Sequence, residues 1–375
     1  MKKVLIIYAS AGDGHKKSAE AIYDSFLKSK DKDIKVHLVN ALDHATGFFK
    51  ISYEIIYLLL IKYMPRLWGF FYHMLNNRFF YTLSRPFRRA INALNSGGLK
   101  KFLLKEDFDV IISTHFFATE VISVLKGKGI LSAPLLTVLT DYRPHLFWIA
   151  ENVDLYTVAA TSTKNEFAER GVEKEKIVVT GIPMHNKFNL SIPKTEARKK
   201  MGLDANVFTA LVMGGGLGVG PIEETVSALQ GLDFDCQIIT ICGKNKGLFK
   251  KLKAKENSFK KKTKVFGFFH EVDMAMAASD IMVSKLGGIT VSESLARRLP
   301  VITINPIPGQ EMYNAEFLFE NEVGFKLKSV DELNKTVTRF FNAPQEAKRL
   351  KEKIGHLSRP NAAGDIKKLA IGMIR

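Results

Sequence analysis

The sequence predicts an α/β protein built from two doubly wound, Rossmann-like domains, and three observations predict it. At 375 residues the chain exceeds the size at which a single hydrophobic core stops growing. Short Val/Ile/Leu runs recur, bounded by Gly, Asp or Pro, as in strands buried on both faces of a parallel sheet. Helical patterns separate these runs, the order of βαβ units.

Taken in order, residues 4–8, 34–39, 110–113, 135–139, 155–158 and 177–180 read as strands of a first sheet. Residues 208–213, 237–241, 264–266, 281–283 and 301–304 read as strands of a second. Residues 181–202 hold two prolines and little periodicity. The expected division is therefore a first domain over 1–183, a linker over 184–202 and a second domain over 203–364. Residues 365–375 read as a helix that packs back on the first domain.

Hydrophobic content of 46% and charged content of 25% suit a folded chain rather than a disordered one. Fifty-five Lys and Arg against 38 Asp and Glu leave a net charge of +17, which implies a polyanionic partner. Nucleic acid, an anionic membrane surface and phosphorylated substrates all qualify. No nucleic-acid-binding motif is present, so nucleic acid is not expected. Cys236 and Cys242 stand alone, without Cys-x-x-Cys or a nearby His pair, which argues against a disulfide scaffold and a structural zinc site. The apolar run at 4–8 is too short for a signal peptide. A reducing, cytoplasmic setting follows as the expectation.

One segment breaks the alternation. Residues 48–100 hold thirteen aromatics and eight Lys or Arg against a single acid, Glu54. The apolar stretch 51–61 is too short for a bilayer span of ~20 helical residues. Rings beside basic side chains suit a membrane interface, with Trp68 at the headgroup level and Arg66, Arg85, Arg88 and Arg89 toward anionic lipid. The ordinary alternative is a helical insertion whose aromatics fill the first core. A second basic run, residues 244–264, has ten lysines against Glu256 and reads as a solvated face.

Three Gly-rich turns carry the chemistry. The first, ASAGDGHKKSAEA at residues 9–21, joins a strand to a helix and presents Asp13, Gly14 and His15. A histidine at a helix N-terminus is held neutral by the positive dipole end and is a candidate base. Asp13 is a second candidate, or an N-cap. His115, Asp141 and His145 stand near strand ends as weaker alternatives. The second turn, MGGGLGVGP at residues 213–221, lets backbone N–H groups approach an anion. Neither turn matches G-x-G-x-x-G, Asn40 replaces the ribose-binding acid, and no G-x-x-x-x-G-K-[ST] exists, so NAD and ATP are not expected.

The third turn lies in SKLGGITVSESLARRLPVITINPIPGQEMYNAE, residues 284–316. Gly287 and Gly288 end a strand where a helix starts near Thr290, a site for a diphosphate. Glu293, one turn on, suits two vicinal hydroxyls such as a ribose offers. Gln310, Glu311 and Asn314 offer mixed donors and acceptors that suit a sugar. The triplets Asp107–Asp109 and Asp233–Asp235 precede strands rather than follow them, so neither reads as a metal clamp.

The turn GDGH, the Gly-rich loop of the second half, GFFHEVDMAMAASDIMVSKLGGITVSESLARRLPVI and NPIPGQEMYNA resemble the monogalactosyldiacylglycerol synthase and processive diacylglycerol glucosyltransferase family. Residues 140–160 and 179–188 resemble its middle region. More distantly, the chain resembles the MurG-type UDP-N-acetylglucosamine transferases. The resemblance implies a GT-B fold, two Rossmann-like domains facing across a cleft. It implies a UDP-sugar donor, UDP-glucose or UDP-galactose, on the C-terminal domain and a diacylglycerol acceptor on the N-terminal domain. It further implies inverting transfer without an essential metal or resident cofactor, by a peripheral protein on the cytoplasmic face of an anionic phospholipid membrane.

By the same resemblance, Gly215 and Gly216 approach the donor phosphates and the stretch from Gly243 to Asn245 lies near the nucleotide. The backbone from His270 to Val272 faces the uracil. Gly287, Gly288 and Thr290 hold the diphosphate, Glu293 the ribose, and Gln310 and Glu311 the hexose. His15 matches the family's functional histidine, with Gly14, Asp141 and His145 on the acceptor side. Three further readings stay open: MurG-like transfer to a polyprenyl-linked acceptor, a UDP-sugar epimerase, and a nonenzymatic anionic-lipid or nucleic-acid binder.

Overall fold

The computed structural model describes residues 1–10, 12–28 and 33–374, without the side chains of residues 54, 57, 58, 61 and 62. Ala11 and the side chain of Glu54, both noted above, therefore lie outside the described residues. The chain forms two compact units. The first comprises Met1–Asn186, Pro308–Gln310 and Arg359–Arg375, and the second Lys187–Ile307 and Glu311–Ser358.

The first unit holds strands β1 (Lys2–Tyr8), β2 (Ile34–Asn40), β3 (Val110–Ser113), β4 (Leu135–Val138), β5 (Leu155–Val158) and β6 (Ile177–Val179). They form one parallel sheet in the order β2-β1-β3-β4-β5-β6. Along β1 the side chains alternate between two cores, as a period of two requires: Leu5 and Ile7 enter one, Val4 and Ile6 the other. Helix Ala362–Gly372 completes the second of these cores with Ile366 and Ala370, packed beside helix Asp13–Lys28. The chain ends, distant in sequence, thus share one core.

The second unit holds β7 (Phe208–Met213), β8 (Cys236–Ile241), β9 (Thr263–Phe266), β10 (Ile281–Ser284), β11 (Val301–Ile304) and β12 (Gly324–Leu327). This sheet is also parallel, in the order β12-β11-β10-β7-β8-β9. Strand β12 has no counterpart among the expected strands. It is a four-residue edge strand, GFKL, fully buried only at Leu327, whose glycine and lysine leave too short an apolar pattern to read as a strand.

The first break between units falls at Asn186/Lys187, and residues 359–364, expected at the end of the second domain, belong to the first unit. Residues 187–202, read from sequence as linker, belong to the second unit. Their helix Lys194–Lys200 is anchored by Lys194 and Arg198, which both pair with Asp280, and Arg198 Nε donates to the Ala278 carbonyl at 2.9 Å.

Residues 48–100 fold as helices Gly47–Tyr63, Pro65–Leu75, Arg78–Asn95 and the start of Gly97–Glu106. Their aromatics serve two ends. Phe49 and Tyr53 pack on the first core, Phe49 with its ring 5.4 Å from that of Phe117, and Tyr72 is buried. Phe48, Ile51, Ile55, Ile56, Leu59, Phe70 and Phe71 stay exposed. No helix among the described residues is long and apolar enough to cross a membrane.

Candidate active-site residues in the two units

In an open parallel sheet, ligands bind beyond the C-terminal strand ends, where neighbouring strands send their connections to opposite sides. The first sheet has that point between β1 and β3, the second between β7 and β10. The turns singled out from sequence follow β1, β7 and β10.

In the first unit, Asp13 and Gly14 open helix Asp13–Lys28 and His15 follows, buried. Its Nδ1 lies 2.8 Å from the Thr114 carbonyl oxygen, and the Thr114 hydroxyl donates back to the His15 carbonyl at 3.0 Å. A carbonyl only accepts, so the hydrogen sits on Nδ1, and the Thr140 hydroxyl oxygen, 3.0 Å away, shares it. Nε2 then carries the lone pair. Burial pushes the His15 pKa down to about 4, against a smaller opposing effect of the Thr114 carbonyl. The ring is therefore neutral at pH 7, and burial is the main cause where the sequence pointed to the helix dipole.

His115 caps helix Phe116–Gly127, its Nδ1 accepting from the Phe117 N–H at 3.1 Å, and its ring meets that of His15 edge-on at 4.4 Å. Burial, then the nearby His15, holds its pKa well below the usual value. His145 has both nitrogens engaged. Nδ1 accepts from the Phe147 N–H at 3.1 Å, and Nε2 donates to the Tyr72 carbonyl at 2.9 Å, tying helix Pro65–Leu75 to the sheet. Burial lowers its pKa to about 4.

These residues line an apolar cavity of about 430 Å³, walled by Phe49, Tyr53, Trp68, Phe116 and Trp148, with His15 and the buried Asp141 in its lining. A polar cluster also lies in the wall. Asn92 Nδ2 donates to Glu120 Oε2 at 2.9 Å, Arg88 Nη1 lies 3.8 Å from the same oxygen, and the Arg88 guanidinium stacks over Tyr81. Thr114, Thr140, Asn92 and Glu120 were not singled out from sequence, since their partners lie 28 to 125 residues away.

Arg85 and Arg89 both pair with Glu151, while Arg66 is exposed. On helix Arg78–Asn95, Arg85 and Arg89 thus lie toward Glu151 and Arg88 toward Glu120, while Arg78 is exposed. The opposite stripe, Phe79, Leu83, Phe87 and Leu94, is 68%, 68%, 69% and 79% exposed.

In the second unit the loops after β7 and β8 interlock. The Lys244 N–H donates to the Gly216 carbonyl at 2.9 Å, and Asn245 Nδ2 to the Gly218 carbonyl at 3.2 Å. Asn245 also caps helix Lys246–Ala254 by accepting from the Leu248 N–H. Gly218 has φ +65°, and a Cβ there would stand 1.9 Å from the Cys242 carbonyl oxygen; Gly215 and Gly243 also have positive φ. After β10, Gly287 caps helix Gly288–Ala296, two residues earlier than Thr290 suggested. Thr290 and Glu293 are buried in it. Asn314 Nδ2 holds this turn by donating to the Leu286 carbonyl at 3.2 Å. Glu311 lies in the first turn of helix Gln310–Glu320, whereas Gln310, expected beside it on the donor side, belongs to the first unit and its Nε2 donates to Asp141 Oδ1 at 2.6 Å. His270 is exposed, with its carbonyl bound by Lys187, and Val272 starts helix Val272–Ala278. Lys285, absent from the expected set, donates to Glu311 Oε1 at 2.6 Å.

Asp109 Oδ2 accepts from the Lys3 N–H at 2.7 Å, which ties its triplet to the strand entrance. Among the described residues no three His, Cys, Asp or Glu side chains converge as a metal site.

The family described as monogalactosyldiacylglycerol (MGDG) synthase matches residues 15–184, and the glycosyltransferase family 28 C-terminal domain matches residues 209–366. The processive diacylglycerol beta-glucosyltransferase of Staphylococcus saprophyticus is 31% identical over 359 residues, 94% of this chain and 88% of that protein. Among solved structures, Acinetobacter baumannii MurG superposes with a TM-score of 0.64 at 14% identity, covering 99% of this chain and 100% of that one. Anabaena HepE in complex with UDP-glucose superposes with a TM-score of 0.58 at 15% identity, again over 99% and 100%. At such identities the likeness concerns the fold, which is the GT-B type with two Rossmann-like domains.

Proposed function

Since the chain belongs to the family of the monogalactosyldiacylglycerol synthases and processive diacylglycerol β-glucosyltransferases, we propose that it is an inverting UDP-sugar:diacylglycerol hexosyltransferase. The observation that carries this reading is His15, neutral, with Nδ1 tied to a carbonyl, in the wall of an apolar cavity. A lipid alcohol suits that cavity, because its acyl chains find apolar walls and its hydroxyl finds a base.

In the proposed step the acceptor oxygen attacks the anomeric carbon as the bond from that carbon to the diphosphate oxygen breaks. The electron pair leaves with UDP, and the hydroxyl proton passes to His15 Nε2. A single displacement inverts the configuration and yields a β-glycosyldiacylglycerol. The second unit serves as the donor domain, with the glycine turns after β7 and β10 toward the diphosphate, where free N–H groups and a helix N-terminus favour an anion. Glu293, Gln310 and Glu311 keep their proposed ribose and hexose roles. Charge on the departing diphosphate is met by these protein groups, and the transfer is proposed to need no essential metal or cofactor.

The exposed stripe of helix Arg78–Asn95 supports a peripheral mode at the cytoplasmic membrane face. A helix that pairs Arg85 and Arg89 with Glu151 and turns Phe79, Leu83 and Phe87 outward suits an acyl boundary better than water. The test offers diacylglycerol in anionic vesicles with labelled UDP-glucose, UDP-galactose or UDP-N-acetylglucosamine, each with and without EDTA. A labelled glycolipid from one hexose donor, surviving EDTA, is expected. Absence of a lipid product from every donor overturns the reading.

A further inference from the structure

Lys285 lies between the end of β10 and the Gly287–Gly288 turn, and its side chain crosses the loop after β7: a Cβ on Gly215 would stand 2.9 Å from Lys285 Cε. The ammonium thus lies where two glycine turns meet at the switch point of the second sheet. There it donates to Glu311 Oε1 at 2.6 Å, with the two side chains 22% and 12% exposed. Glu311 Oε2 is buried and, among the described residues, has no hydrogen-bond partner. Among the described residues, then, one oxygen of this carboxylate is served by Lys285 and the other by no donor. A partly desolvated pair is costly to open unless both members find new partners.

We propose that Lys285 and Glu311 form an exchangeable pair that the donor opens, Lys285 turning to the β-phosphate and Glu311 to hydroxyls of the hexose. This rests on the UDP-sugar reading above and adds to it a leaving-group residue. The assignment of the β-phosphate follows from connectivity: the sugar is bonded to that phosphate, and the two side chains now in contact would face the two sides of that bond. Hydroxyls donate to both carboxylate oxygens, which an ammonium held at Oε1 does not do. As the bond from the anomeric carbon to oxygen breaks, its electron pair stays on the β-phosphate, and the Lys285 ammonium meets the added charge without giving up a proton. UDP alone engages Lys285 but leaves Glu311 without a donor, so the carboxylate competes with UDP and is satisfied by the UDP-hexose.

The experiment is calorimetric titration of the full chain with UDP and with UMP, for wild type, Lys285→Met, Lys285→Arg and Glu311→Gln, with hexose transfer measured in parallel. Lys285→Met is expected to weaken UDP about 10- to 100-fold, the loss of one charge-assisted contact, while UMP binding stays unchanged. Lys285→Arg keeps most of the UDP affinity. Glu311→Gln binds UDP more tightly than wild type yet transfers hexose more slowly. Equal losses for UDP and UMP in Lys285→Met, or weaker UDP binding in Glu311→Gln, overturn the exchange. A wild-type chain that binds neither nucleotide instead defeats the donor reading on which it rests.

Discussion

His15 and Thr114 are joined twice, imidazole Nδ1 to carbonyl at 2.8 Å and hydroxyl to carbonyl at 3.0 Å, across 99 residues of sequence. The double tie links the turn after β1 to the turn after β3 and determines which imidazole nitrogen is free. His15→Ala should lower kcat by about 10²- to 10⁴-fold, the range for a positioned general base, with UDP affinity unchanged. Steady-state transfer together with UDP titration checks this, and a near-wild-type rate would remove His15 from the chemistry.

Stability should fall as the pH drops from about 6.5 toward 4. His15 and His145 each have a folded pKa of about 4 against a usual 6.5, so the unfolded chain binds more protons in that window. Their contribution is complete above 6.5 and is lost on acidification, at up to about 1.4 kcal/mol per pH unit for each group. Urea midpoints between pH 7 and 4.5 measure the slope. His145→Gln should flatten it, and a slope unchanged by that substitution contradicts the assignment.

Gly14 and Gly218 should respond in opposite ways to Ala. A Cβ on Gly14 meets nothing within 4 Å, and Ala favours a helix by up to about 1 kcal/mol, so Gly14→Ala should fold at least as well as wild type. A loss of transfer in that variant would then report acceptor crowding. Gly218→Ala places Cβ against the Cys242 carbonyl with φ +65°, which costs about 1–2 kcal/mol before the clash is counted. Melting curves and UDP titration of both variants separate the two cases.

Replacing Phe79, Leu83 and Phe87 together by Ser should reduce vesicle binding by at least about tenfold, since each fully buried large apolar side chain contributes roughly 1.5–3 kcal/mol. UDP binding, which is a property of the second unit in this reading, should not change. Flotation with anionic vesicles measures the first quantity and calorimetry the second. Because Arg85 and Arg89 are paired with Glu151, added salt should weaken vesicle binding less than the triple substitution does.

The legible part of the fold was whatever a local pattern encodes. Eleven of the twelve strands were read from local apolar patterns, and the exception, β12, is an edge strand whose glycine opens it and whose Lys326 interrupts it. The glycine turns were legible for the same reason. Lys285 was not, because a lysine beside a strand end has no signature until Gly215 and Glu311 are brought to it. Likewise, residues 48–100 posed a choice between core and membrane that sequence pattern left undivided, and the helices divide it face by face, Tyr53 inward and Phe87 outward.

The sequence by itself determined the two-sheet α/β class, the strand-turn-helix units that carry the glycines, and the likeness to one transferase family. These rest on periodicity, backbone freedom and motif order, all of them local. Only the tertiary structure decided that His15 keeps Nε2 free, that Arg85, Arg88 and Arg89 turn toward Glu151 and Glu120, and that Lys285 is held by Glu311. Protonation and pairing depend on burial and on neighbours tens of residues away, which exist only once the sheets have formed.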